Sequence, residues 1–230
     1  LRNIWEEKTP NMESISKNLF ILAVDKRIPV YQKDFALRIS ELFANGDQRV
    51  LYKLYEDVCA KKSPITTVEQ KLKAVIIGEE DYEVTLSDNL TEKIGVYEFK
   101  TILKLIADCY CDILPLGSVI DLNKDFLSKA FDVDKFDSIR FIITQRFAYE
   151  EGMESYFTYG AVAYPFGSLI SKRLLYFTPP LIEQVVHRGY SDQQEEIFVG
   201  VVKNELIVNR GLFSAGFSSN TLFPSTTGGE

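Results

Sequence analysis

Histidine is all but missing from this sequence: His187 is the single imidazole in 230 residues, beside one tryptophan, two methionines and three cysteines. A Ser-His-acid or Cys-His catalytic group would need that one ring as its base. His187 follows the apolar pair Val185-Val186, precedes Arg188 and has no nucleophile elbow beside it, so it reads as a partly exposed strand residue. Three cysteines, Cys59, Cys109 and Cys111, cannot all pair within one chain and are too sparse for a secreted disulfide scaffold. Cys109-Tyr110-Cys111 lacks the two-residue spacer of redox and zinc pairs, so these thiols read as small buried hydrophobes in a reducing, cytosolic compartment. Glycines are scattered. Gly160, Gly167 and Gly211 fall in separate contexts and form neither a Walker loop nor a dinucleotide fingerprint. Apolar runs are short as well. Asp25-Lys26-Arg27 ends the best of them, far below the roughly 20 residues of a membrane-spanning helix, which leaves a soluble protein.

Positive charge is the minority. Lysine and arginine number 26 against 33 aspartates and glutamates, a net charge of −7, so the mean field repels phosphate backbones and anionic lipid. Nucleic acid and membrane insertion are therefore not expected. Acids are frequent, in Glu150-Glu151, Glu195-Glu196 and at Asp132, Asp134 and Asp137, but they are the ordinary decoration of an acidic surface. The run from Asp132 to Asp137 lacks the central glycine and terminal glutamate of a calcium loop. The expectation is a binding protein rather than an enzyme, with no cofactor and no metal.

Core material is ample, with 16 phenylalanines and 12 tyrosines. The pattern predicts an α+β fold, with a helical N-terminal half followed by a small antiparallel β-sheet domain and a C-terminal helix. Phe35, Ile39, Leu42 and Phe43 recur at helical spacing, as do Leu51, Leu54, Tyr55 and Val58, and Asn45-Gly46-Asp47 punctuates the two. Further helices are expected over residues 12–24 and 68–77 and around residues 99–107, with a loop or short hairpin over 81–93. After Leu114-Pro115-Leu116-Gly117 the texture changes to β-branched and aromatic residues, which predicts strands over 118–120, 139–146, 155–164 and 174–177. Residues 185–190 are a candidate return strand, and a helix is expected over 192–204, with Glu195 and Glu196 in its first turn. The domains are thus 1–112, helical; 113–209, sheet plus helix; and 210–230, a Gly/Ser/Thr-rich flexible tail. The densest aromatic cluster supplies candidate protein-binding residues, Phe157, Tyr159, Tyr164 and Phe166, because aromatics on both faces of one strand leave some outside a simple core.

Three motifs carry a family resemblance: Leu114-Pro115-Leu116-Gly117-Ser118-Val119; Gly160-Ala161-Val162-Ala163-Tyr164-Pro165-Phe166-Gly167; and Tyr176-Phe177 leading through Ile182-Glu183-Gln184-Val185-Val186 to Gly189-Tyr190-Ser191-Asp192. In this order they resemble domain of unknown function 4176, a Gram-positive family found beside type VII secretion genes, over residues 113–198. The sequence departs from the family at Gln145-Arg146, at Phe166 and near Pro179-Pro180. The resemblance implies an accessory role in export of an LXG-type toxin, as cytosolic chaperone or targeting factor, with the toxin/effector or its targeting factors as partner. An immunity protein that neutralises the toxin domain is the alternative. The family carries over no catalytic residue.

Overall fold

In the computed structural model the described residues are 12–44, 46–67, 70–124, 127, 140–169 and 174–217. They form an α+β chain of two compact units, Leu1–Asp112 with Gln193–Gly211, and Ile113–Asp192 with Leu212–Glu230.

The first unit begins with helices α1 (Met12–Arg27), α2 (Lys33–Phe43) and α3 (Gln48–Cys59). Asp47 caps α3 by accepting the Arg49 amide at 2.9 Å, the acidic start expected after Gly46. A four-stranded antiparallel sheet follows in the order β1 (Ile65–Thr66), β2 (Leu72–Ile77), β3 (Asp81–Leu86), β4 (Thr91–Gly95). The helix expected over 68–77 is therefore strand β2 from Leu72 onward, and the 81–93 stretch is the β3–β4 hairpin. Leu72, Ala74, Tyr82, Val84 and Ile94 are buried while Lys73, Glu83 and Lys93 are exposed, a period of two that a window of mixed lysines and aliphatics conceals. Helix α4 (Val96–Tyr110) then forms the centre of the unit, with Phe99, Ile102, Leu103, Leu105, Ile106 and Cys109 fully buried. Tyr82 of β3 meets Phe99 edge-on at 5.8 Å, which fastens the sheet to this helix.

Helix α5 (Gln193–Lys203), expected with the sheet domain, belongs to this first unit. Lys203 is the reason: it is 1 % exposed, and its Nζ donates to the carbonyls of Cys109 at 3.0 Å and Cys111 at 2.6 Å. Those oxygens lie at the C-terminal end of α4, where a cation is favourable. Beyond Lys203 the helix widens into a π-helical turn, Asn204–Asn209. Lys26 and Arg27 at the end of α1 donate to the carbonyls of Val208 and Ile207 in that turn.

The second unit is one sheet in the order β10-β7-β6-β5-β9, with β8 also on β7. Its strands are β5 (Val119–Leu122), β6 (Arg140–Ala148), β7 (Ser155–Tyr164), β8 (Leu175–Phe177), β9 (Ile182–His187) and β10 (Phe213–Ser214). All pairings are antiparallel except β10 on β7. The expected flexible tail is thus structured over 212–217: Leu212, Ser214, Ala215 and Phe217 are buried, and Phe213 and Ser214 pair with Ser155 and Tyr156 of β7. Residues 218–230 lie outside the described residues.

Candidate functional site

The segment opening the second unit is a turn in which the Ser118 amide donates to the Pro115 carbonyl at 3.2 Å. Gly117 holds φ at +80°, the value a type II turn requires at its third position and one that other residues resist. The turn is tied to β6 by the Gly117 amide on the Ile143 carbonyl and the Ile143 amide on the Ser118 carbonyl, at 2.8 and 2.9 Å. Ser118 is fully buried. Its hydroxyl donates to the Pro115 carbonyl at 2.7 Å and accepts the Gly189 amide at 2.9 Å, so one oxygen joins the turn to the chain leaving β9. Gly189 approaches so closely that a β-carbon there would collide with the Leu116 carbonyl oxygen and stand 3.0 Å from the Ser118 nitrogen. Two motifs 70 residues apart in the chain are in this way one structural element.

This lock presents apolar groups outward. Leu116 is 50 % and Tyr190 82 % exposed, and on β9 Val185 and Val186, on alternate faces of the strand, are 43 % and 38 % exposed. Every residue of β9 after Ile182 is exposed, and the strand is an edge of the sheet. Its pairing with β5 breaks register twice, between Val119 and Ile120 and between Asp121 and Leu122. Bulged edges are poor templates for an added strand, so this edge offers side chains rather than a backbone ladder. His187 lies at its end opposite Val119 and is exposed, as its sequence neighbours suggested.

The four aromatics singled out in the sequence divide. Phe157 and Tyr159 are core residues, which corrects their selection as surface anchors. Residues 156–161 of β7 are all buried, so both faces of the strand are covered there. Phe157 packs on Tyr176 at 5.8 Å and Tyr159 on Phe177 at 5.4 Å, and the Tyr159 hydroxyl accepts the Leu114 amide at 3.0 Å. Tyr164 and Phe166 are 47 % and 42 % exposed, where β7 runs out. Tyr164 pairs with Arg140, the first residue of β6, three residues from the Ile143 on which the Pro-Leu-Gly-Ser turn rests. Leu116 and Tyr190 stand in the first and third motifs with no local signal of exposure; the Ser118–Gly189 contact links their segments.

No group of three or more histidine, cysteine or acidic side chains that could hold a metal ion occurs among the described residues. Asp132, Asp134 and Asp137 lie outside them. Cys109 and Cys111 are buried, and burial pushes both thiols up to about 12 against the opposing pull of the Lys203 charge. A groove of about 240 Å³ in the first unit is floored by Val50, Leu54 and Ile65, but its rim cations are engaged: Arg49 with Asp47 at 2.8 Å and Lys53 with Asp57 at 3.0 Å. Asp57 lies below the usual carboxylate range, because hydrogen bonds from Lys62 and Lys53 outweigh the burial that would raise it. No described helix is long and apolar enough to cross a membrane.

Residues 113–198 match the family described as Domain of unknown function (DUF4176). That range contains the Pro-Leu-Gly-Ser turn, the β7 motif and the Gly189-Tyr190 segment. It also reaches past the unit boundary into the first half of α5. No curated protein and no solved structure matches the chain.

Proposed function

We propose that this chain is a non-enzymatic accessory protein of a Gram-positive type VII secretion system, binding an LXG-type effector in the cytosol as chaperone or targeting factor. The observation that carries a binding role is the apolar surface at Leu116 and Tyr190, held on backbone fixed by the Ser118–Gly189 hydrogen bond. Large apolar side chains kept in water by a rigid scaffold are what a protein partner desolvates. The partner class comes from the family resemblance of residues 113–198. Co-expression with a candidate LXG-type effector, followed by co-purification, tests the reading. A complex that is lost on Leu116→Asp or Tyr190→Asp supports it; no complex, together with unaffected secretion in a deletion strain, sinks it.

An immunity protein is the second reading, favoured by the net charge of −7, which complements a basic toxin domain and speeds association. Protection of cells that express the toxin domain alone would decide for immunity. Binding to the export region without protection would decide for chaperoning.

A further inference from the structure

Strand β4 is an edge of the four-stranded sheet, and no described strand pairs with its outer side. Its register with β3 is unbroken over Thr91–Gly95. Hydrogen bonds at either end of that pairing, from the Leu86 amide to the Leu90 carbonyl and from the Val96 amide to the Glu80 carbonyl, both at 2.8 Å, fix which residues face β3. Such pairs alternate in an antiparallel ladder, so Glu92 and Ile94 exchange with β3 while the amides and carbonyls of Thr91 and Lys93 point outward. The Thr85 and Thr91 hydroxyls meet at 3.0 Å, as the close side chains of a pair without backbone bonds should. Natural edges are commonly blunted by a proline, a bulge or a lysine held over the edge. Strand β4 has neither of the first two, and its lysine is drawn back onto β3, where Lys93 Nζ meets Asp81 at 2.8 Å. Thr91, Glu92 and Lys93 are all exposed.

We propose that this edge docks an extended segment of a partner protein, which joins the sheet as a further strand and carries a lysine or arginine opposite Glu92. The outward amides and carbonyls of Thr91 and Lys93 select an extended chain, because a helix satisfies its own backbone and has none to offer. Charge selects the side chain. Lys93 is matched by Asp81, whereas Glu92 makes no ion pair with another described residue, so the edge itself presents an unmatched carboxylate. Leu90 stands two residues earlier on the same face and is exposed, so an aliphatic residue two places from the partner's cation meets an apolar contact. A second copy fits poorly. Antiparallel pairing about a two-fold axis sets Glu92 against Glu92 when Thr91 meets Lys93, and Lys93 against Lys93 when the axis moves one residue towards Gly95. Moved one residue the other way, the axis leaves Thr91 the only outward residue paired inside the strand, with a net charge of −7 on each copy besides. The docking is independent of the surface at Leu116 and Tyr190 and of the proposed export role.

The test uses the full chain and a short synthetic peptide with threonine at alternate positions and leucine, lysine and leucine between them, titrated by fluorescence anisotropy. A counterpart with glutamate for lysine is the charge control. Lys93→Pro is the diagnostic variant. It removes one outward amide and spares the β3 ladder, in which that amide takes no part. It also removes a positive charge, so attraction by charge alone would strengthen, whereas strand addition weakens. The expected result is binding of the lysine peptide by the wild type and by Lys93→Ala, and binding about tenfold weaker by Lys93→Pro, the scale of one hydrogen bond lost. Glu92→Lys, at an exposed position, should reverse the preference, so that the glutamate peptide binds and the lysine peptide does not. Circular dichroism verifies that the variants keep the wild-type spectrum; if Lys93→Pro does not, the Glu92→Lys reversal decides alone. No binding by the wild type overturns the proposal, as does equal or tighter binding by a folded Lys93→Pro, or an unchanged preference in Glu92→Lys. Self-association in sedimentation that Lys93→Pro abolishes would assign the edge to a second copy. Binding that arises only after residues 1–11 or 218–230 are removed would assign it to a segment of this chain. Either result also overturns the proposal.

Discussion

Replacing Ser118 by alanine removes one oxygen atom and, with it, both the donor to the Pro115 carbonyl and the acceptor for the Gly189 amide. The site is fully buried, so water cannot take over the role of the hydroxyl without rearrangement. Two hydrogen bonds at roughly 1 kcal/mol each give an expected loss of about 2 kcal/mol, with the stranded Gly189 amide setting the upper side of that figure. In urea, where unfolding slopes for small domains run at about 1–3 kcal/mol/M, the midpoint for the second unit should fall by roughly 1 M. A local readout separates this lock from general damage. Native-state hydrogen exchange at the Gly189 amide should accelerate roughly 30-fold, the factor that corresponds to about 2 kcal/mol, while amides of Ile102 and Leu103 in α4 keep their protection. Unchanged Gly189 exchange and an unshifted midpoint in Ser118→Ala would refute the claim that this hydroxyl joins the two motifs.

Gly189→Ala drives a β-carbon into the Leu116 carbonyl, and since backbone must move to relieve the clash, its cost should exceed that of Ser118→Ala, at about 3 kcal/mol in the same urea experiment. Lys203→Met strands the Cys109 and Cys111 carbonyls and should cost about 2 kcal/mol in the first unit, against less than about 0.5 kcal/mol for the exposed Lys17→Met. Thiol titration with a chromogenic disulfide at pH 8 should count one reactive cysteine, exposed Cys59, in the native protein and all three after denaturation. A thiol raised to about 12 is protonated at that pH, and the protonated form does not attack.

The helices that read most clearly from sequence were those with a single apolar stripe and a punctuated end, as in α2 and α3 around Gly46-Asp47. Strand β7 was legible over its full length, because β-branched and aromatic residues fill it between two turn signals. Strand β2 was not, since Leu72, Ala74 and Val75 among lysines fit a helical period nearly as well as a strand period, and only pairing with β3 resolves them. The placement of α5 was hidden for a different reason. Its anchor to α4 is a lysine, a residue type that reads as solvent-facing, while its exposed face is apolar. The aromatic cluster misled in part: alternation along β7 assigns side chains to faces but cannot say that both faces are covered, as they are at Phe157 and Tyr159. Leu116 and Tyr190 become a surface only through Ser118 and Gly189, a contact between residues 71 positions apart that no local pattern encodes.

A binding role for this protein requires that the Leu116–Tyr190 surface engage an exported effector. The most direct measurement is the affinity of the purified chain for a candidate LXG-type effector, by calorimetry, for the wild type and for Tyr190→Asp. A defined complex is expected for the wild type and an affinity at least about tenfold lower for Tyr190→Asp, the scale of losing one interface anchor. Equal affinity for the two proteins, or no heat of binding with a folded effector, would contradict it.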